Sequence, residues 1–143
     1  MTDGETEPCA LLTDAQRAQL GVAPGWESEQ IPLEGAQLGN WDAVAGRGMF
    51  QAGVLPSRYQ LDRVTRNYPD PRDVTVSGLR AVSTSQERSV ANRSCMISAL
   101  LPDQRLAVVS YFWNGGAIGS THEMSCRKAT TALEMVVATS QAR

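Results

Sequence analysis

A chain of 143 residues, 42% hydrophobic and 20% charged with a net charge of −2, has the size of one domain and enough apolar side chain for one core. That composition excludes a globally disordered chain, and no apolar run reaches the roughly eighteen residues that a membrane-spanning helix needs. Lys128 is the only lysine, and the arginines are spread among acids without a dense basic cluster or stacking aromatics, so nucleic acid is excluded as a partner.

The charge is lopsided. Residues 1–34 hold seven acids and one base, a net of −6, and the rest of the chain has a net of +4. This reads as a solvated acidic leader on a near-neutral body. Residues 1–8 are polar and aperiodic and form a flexible leader, which leaves 9–143 as a single domain. Met1-Thr2-Asp3-Gly4-Glu5 is acidic where a signal peptide needs a basic and then an apolar stretch, which taken alone points to the cytoplasm.

Thr13 followed three residues later by Gln16 has capping-box spacing and opens a short helix over 13–20, which Gly21 ends. Leu12 and Leu20 are its candidates for the core. Residues 21–47 carry Gly, Pro and acids around Trp26, Ile31, Leu33 and Trp41, and read as mostly irregular. Residues 48–54 alternate, with Phe50, Ala52 and Val54 on one face of a strand that Pro56 ends. Residues 58–68 fit a helix (Leu61, Val64, Tyr68) better than a strand, and Asn67–Pro71 is a loop. Val74–Val76 and Leu79–Thr84 are strands with a bulge or bend at Gly78, and the polar residues 85–93 loop out. Ser94–Leu100 places Cys95, Ile97 and Ala99 on one face. A hairpin loop at Pro102-Asp103-Gln104 leads to Leu106–Trp113, which is apolar on both faces, as an internal strand should be. From Cys126 the period is helical: Ala129, Leu133, Val136, Val137 and Ser140 share a stripe, with Ser125 as N-cap. Consecutive strands between helices predict an α+β fold, an antiparallel sheet with a short N-terminal helix and a C-terminal helix packed on it.

Candidate chemistry is sparse. Cysteines at 9, 95 and 126 make no metal-ligand spacing, and His122 has no second imidazole to join it. Of the three possible pairings, Cys95–Cys126 is favoured because both lie in core-forming segments; three buried thiols is the alternative. Ser120-Thr121-His122 lacks the nucleophile elbow, His122-Glu123 lacks the second His of a zincin, and no phosphate-binding glycine loop occurs. Asp70 and Asp73 read as solvated turn carboxylates. Trp41, Tyr111 and Trp113 fit core packing better than a pocket lining. No cofactor is expected. The 114–125 segment, flexible at Gly115, Gly116 and Gly119, is a candidate binding loop, with His122 as an ordinary loop residue before the helix.

Pro8-Cys9-Ala10-Leu11-Leu12-Thr13, Gly39-Asn40-Trp41, Val76–Ala81, Ser94-Cys95-Met96-Ile97-Ser98 and Cys126-Arg127-Lys128-Ala129 follow one another in an order that resembles the actinobacterial secreted lipoproteins grouped as domain of unknown function three-five-five-eight. The resemblance runs from Pro8 to about Val137. It implies a signal peptide and a lipid-bearing cysteine upstream, hence a place on the outer face of the cell membrane, with contact to the membrane only through that anchor. It also implies that Cys95 pairs with Cys126. One departure stands out: the family's Cys-x-Trp has Gly39 here in place of cysteine, which leaves Cys9 as a thiol or a site of intermolecular pairing. The function expected is non-enzymatic binding of a protein partner or small apolar ligand at the envelope. The alternative is a small hydrolase or thiol-redox domain using His122 or Cys9.

Overall fold

The structure is a computed structural model that describes residues 8–30, 36–44, 48–55, 61–62, 66, 71–84, 94–113 and 122–141. Residues 1–7 of the expected leader 1–8, residues 67–70 of the expected loop 67–71, the loop 85–93 and the proposed binding loop up to residue 121 lie outside the described residues; Pro8, the last leader residue, is part of a 3-10 turn.

The first helical segment is a 3-10 turn at Pro8–Ala10, followed by α1 at Asp14–Leu20. The capping box is formed in full: Gln16 N–H donates to Thr13 Oγ1 (3.1 Å), and Thr13 N–H donates to Gln16 Oε1 (2.9 Å). Gly21 ends α1 in the left-handed conformation at φ 69°, with its N–H on the carbonyl of Ala18. Leu12 is buried as expected, Leu20 is half-buried, and Leu11 is buried as well.

Seven strands follow: β1 (Trp26–Gln30), β2 (Ala36–Asp42), β3 (Gly48–Leu55), β4 (Arg72–Val76), β5 (Leu79–Thr84), β6 (Ser94–Leu100) and β7 (Leu106–Trp113). They form one antiparallel sheet in the order β1-β2-β3-β7-β6-β5-β4. A long helix, α2 (His122–Gln141), packs on β6 and β7. The α+β expectation is met, and Leu106–Trp113 is internal, between β3 and β6.

Three local expectations need correction. Residues 26–30 and 36–42 are strands, not irregular chain; WESEQ and AQLGNWD carry too few apolar residues to show an alternation, and pairing of β1 to β2 and of β2 to β3 supplies what local pattern lacks. Ser77 and Gly78, at φ 52° and 79°, are the two central residues of a tight β4–β5 hairpin rather than a bulge, because both positive-φ positions match the twist of the flanking strands. Finally α2 begins at His122, so Ser125 sits fully buried inside the first turn and is not the N-cap, and His122 belongs to the helix rather than to the preceding loop. Leu61, Asp62 and Arg66 are helical, as the 58–68 reading favours.

The two faces of the sheet bury different clusters. Toward α2 lie Trp41, Phe50, Ala52, Val54, Cys95, Ile97, Ala99, Val109 and Tyr111, packed against Ala129, Leu133, Val136 and Val137 of the helix. Ser140 completes the helical stripe by donating its hydroxyl to the Val136 carbonyl at 3.0 Å, which removes the cost of burying it. On the other face, Leu55, Val82, Met96, Leu106 and Val108 gather under Leu61. The helix α1 is tied to α2 by its capping residue. Gln16 Nε2 donates to the Met135 carbonyl (3.4 Å), and Gln16 Oε1 accepts from Thr139 Oγ1 (3.2 Å).

Candidate functional site

Register builds two side-chain rows near one end of the sheet, one on each face. On the helix side the pairs Trp41–Phe50, Phe50–Tyr111 and Tyr111–Cys95 run across β2, β3, β7 and β6. Cys95 then bonds to Cys126 in the first turns of α2, with the two Cα atoms 5.0 Å apart. The disulfide therefore pins the helix to a strand whose Cys95 is fully buried. Phe50 and Tyr111 meet as tilted rings with centroids 4.8 Å apart, and Lys128 Nζ stands 5.7 Å from the Tyr111 centroid. Gly48 makes room for this: a Cβ there would lie 2.7 Å from Tyr111 Cζ. Burial raises the Tyr111 phenol above its ordinary value of 10.0, so it stays protonated and is not a general base near neutrality.

On the opposite face the pairs Trp26–Asn40, Asn40–Gln51 and Gln51–Ser110 run across β1, β2, β3 and β7, and Asp42–Met49 and Met49–Phe112 lie one step along. Asn40 is fully buried and its amide is used in both senses: it accepts from Gln51 Nε2 at 2.8 Å and donates to the Trp26 carbonyl at 3.2 Å. That ladder holds edge strand β1 onto the sheet. Exposure then rises outward. Met49, Gln51 and Phe112 are half-buried, Asp42 is exposed, and half of Trp26 is open to solvent. Val44, the most exposed large apolar residue described, lies at the same corner, with its N–H on the Gly21 carbonyl.

The residues singled out in the sequence are scattered over this framework. Trp41 is fully buried, with its indole edge against Gly25, and is a core residue rather than a pocket wall. Asp73 is exposed on β4, far across the sheet from Trp41, and Asp70 lies outside the described residues. The side chains of His122 and Trp113 also lie outside them. Cys9 is half-buried in the N-terminal turn, which packs against β1, β2 and β3, and takes no part in a disulfide. Among the described residues, no three His, Cys, Asp or Glu side chains converge as a metal site would require. The Trp26–Asn40–Gln51 row went unread in the sequence because β1 and β2 did. Its one local signal is Gln51, a polar residue on the outward side of the 48–54 alternation.

The fold and its clamp define the class: an antiparallel sheet backed by one long helix and fastened to it by a disulfide from a buried strand cysteine. The chain belongs to the family described as protein of unknown function (DUF3558), whose model matches residues 3–139. No curated protein and no solved structure matches it significantly. None of the described helices is long and apolar enough to cross a membrane.

Proposed function

We propose that this is an exported, non-enzymatic domain, held at the outer face of the cell membrane by a lipid anchor, which binds a protein partner or an apolar ligand at the envelope. The observation that carries the reading is the Cys95–Cys126 bond. Disulfides persist in oxidising compartments, and the reductants of the cytosol keep thiols apart. This one joins two parts of the core in a chain that has ample apolar packing without it, as a domain working outside the cell would use it. The exposed Trp26 and Val44 at the β1 corner offer the contact surface. The actinobacterial lipoprotein resemblance supports the anchor.

Two measurements test it. Acid-quenched cells are alkylated before and after reduction, and protease is added to intact cells. Cys95 and Cys126 should be protected until reduction, and the domain should be digested from outside. A reduced pair in a protease-shielded domain would refute export. For the non-enzymatic part, His122→Ala and Cys9→Ser should leave ligand or partner binding unchanged.

A further inference from the structure

The order of the sheet leaves two strands with one neighbour each, β1 and β4. A sheet edge offers unpaired N–H and C=O groups to any extended chain that reaches it. At β1 the direction of those groups follows from the bonds around it. The Asp42 carbonyl accepts from Ala23 N–H, and Ala43 N–H donates to the Gly48 carbonyl, both at 2.9 Å. Even-numbered residues of β2 therefore turn their backbone groups toward β1, and odd-numbered ones toward β3. Trp26, Ser28 and Gln30 stand opposite Asn40, Leu38 and Ala36 and complete that ladder. The N–H and C=O groups of Glu27 and Glu29 are left facing outward, and among the described residues β1 pairs with β2 alone. The two edges also differ in chemistry. Residues 18–46 include Glu27, Glu29, Glu34 and Asp42 and no lysine or arginine. The β4 edge mixes signs, with Arg72 next to Asp73 and Arg80 across the hairpin. Of the exposed large apolar residues described, Trp26 and Val44 lie at the β1 corner and none lies on β4.

We infer that β1 is the edge on which a protein partner docks, adding an extended segment rich in lysine or arginine as a further strand. Main-chain bonds to Glu27 and Glu29 hold the segment, and the acidity of the β1–β2 hairpin selects a basic one. Alternate positions of β1 belong to opposite faces, Trp26 to one and the two glutamates to the other. An alternating basic and apolar segment matches that order, with an apolar side chain resting on the half-exposed Trp26. A second copy of this chain fits worse. Two β1 edges would set Glu27 and Glu29 against the same acids, and like charges facing each other across a ladder are destabilising. The inference rests on the binding role proposed above: it takes the protein partner of that reading and keeps its contact surface.

The test is a titration of the full chain, uniformly labelled with nitrogen-15, with the capped peptide Lys-Val-Lys-Leu-Lys-Val-Lys. Its controls are the glutamate counterpart and two versions of the basic peptide, N-methylated on one or the other alternating set of residues. The basic peptide should produce saturable shifts at the amides of residues 26–30 and at the Trp26 indole N–H. An added strand bonds through alternate residues, so one N-methylated version should lose about tenfold or more in affinity while the other retains it. The glutamate peptide should bind about tenfold more weakly, and the Glu27→Lys/Glu29→Lys chain should reverse that preference with an unchanged thermal midpoint. Trp26→Ala should weaken binding severalfold. Four outcomes overturn the inference: no saturable shift at 26–30, equal response to both charges, an unreversed preference in the double variant, or shifts that follow protein concentration without peptide, as a second copy would give. Saturable shifts confined to another surface also overturn the β1 edge while leaving the binding role standing, and the export test depends on neither.

Discussion

Replacing Cys95 and Cys126 together by alanine removes the one covalent cross-link among the described residues, and its cost can be worked from the chain. The bond closes a loop with a sequence separation of 31. In the chain-entropy treatment, a loop of that length restricts the unfolded ensemble by about 12 cal/mol/K, which is about 3.7 kcal/mol at 25 °C. For 143 residues the unfolding entropy at the midpoint is about 0.3 kcal/mol/K, so the loss corresponds to a fall of about 12 °C in Tm. The variant also trades a buried sulfur at Cys95 for a methyl group, so the better comparison is the wild-type chain with and without reductant, where the sulfurs remain. Calorimetry of both pairs separates the two effects. Reduced wild type should lose nearly the whole increment, and the alanine pair slightly more. A reduced protein melting within about 3 °C of the oxidised one would refute the reasoning, since the cross-link would then not be what limits the unfolded chain.

Ser98 is fully buried with its hydroxyl oxygen unpartnered, so Ser98→Ala should raise stability by about 1 kcal/mol in urea unfolding; a loss would show that the hydroxyl is satisfied in solution. Gln16→Ala opens the capping box and also cuts both links to α2, and should cost about 1–3 kcal/mol, where a cap alone accounts for about 1. A smaller loss, recovered by Gln16→Glu, would mean that only the cap matters. The Tyr111 phenol, raised by burial, should titrate above 10 in ultraviolet absorbance. The unfolded chain then releases that proton first, so the associated stability is complete below the unfolded value and declines as pH rises through the folded one. Tyr111→Phe should flatten that part of the pH–stability curve.

What could be read from the sequence follows from where burial leaves a local imprint. The β6, β7 and α2 segments are apolar with a clear period because each is packed on at least one side by the centre of the molecule, and their residues fall on the expected faces. The α1 cap was legible because capping is a matter of four adjacent residues. By contrast β1 lies at the edge and is held by backbone pairing and the Asn40 amide, interactions that ask for no apolar alternation. The Trp26–Asn40–Gln51 row was lost with it, since these residues become neighbours through strand pairing at separations of eleven and fourteen residues. The start of α2 was misread because Ser125 is a good capping type, and only the fold shows that its hydroxyl is enclosed. The second role of Gln16 could not be foreseen, as its partners lie more than a hundred residues away.

The position of β7 also orders events in time. Strands β1 to β3 pair in succession, and so do β4 to β6, but β3 and β6 do not pair: β7, the last strand among the described residues, lies between them. A chain emerging from its N-terminus can therefore pair its strands only as two separate meanders until residue 113 is out. Each meander lacks the helix that seals its apolar face, and Cys95 has no Cys126 to oxidise with. Completion of the sheet and closure of the disulfide therefore both wait on the last strand and helix described, and neither can precede them.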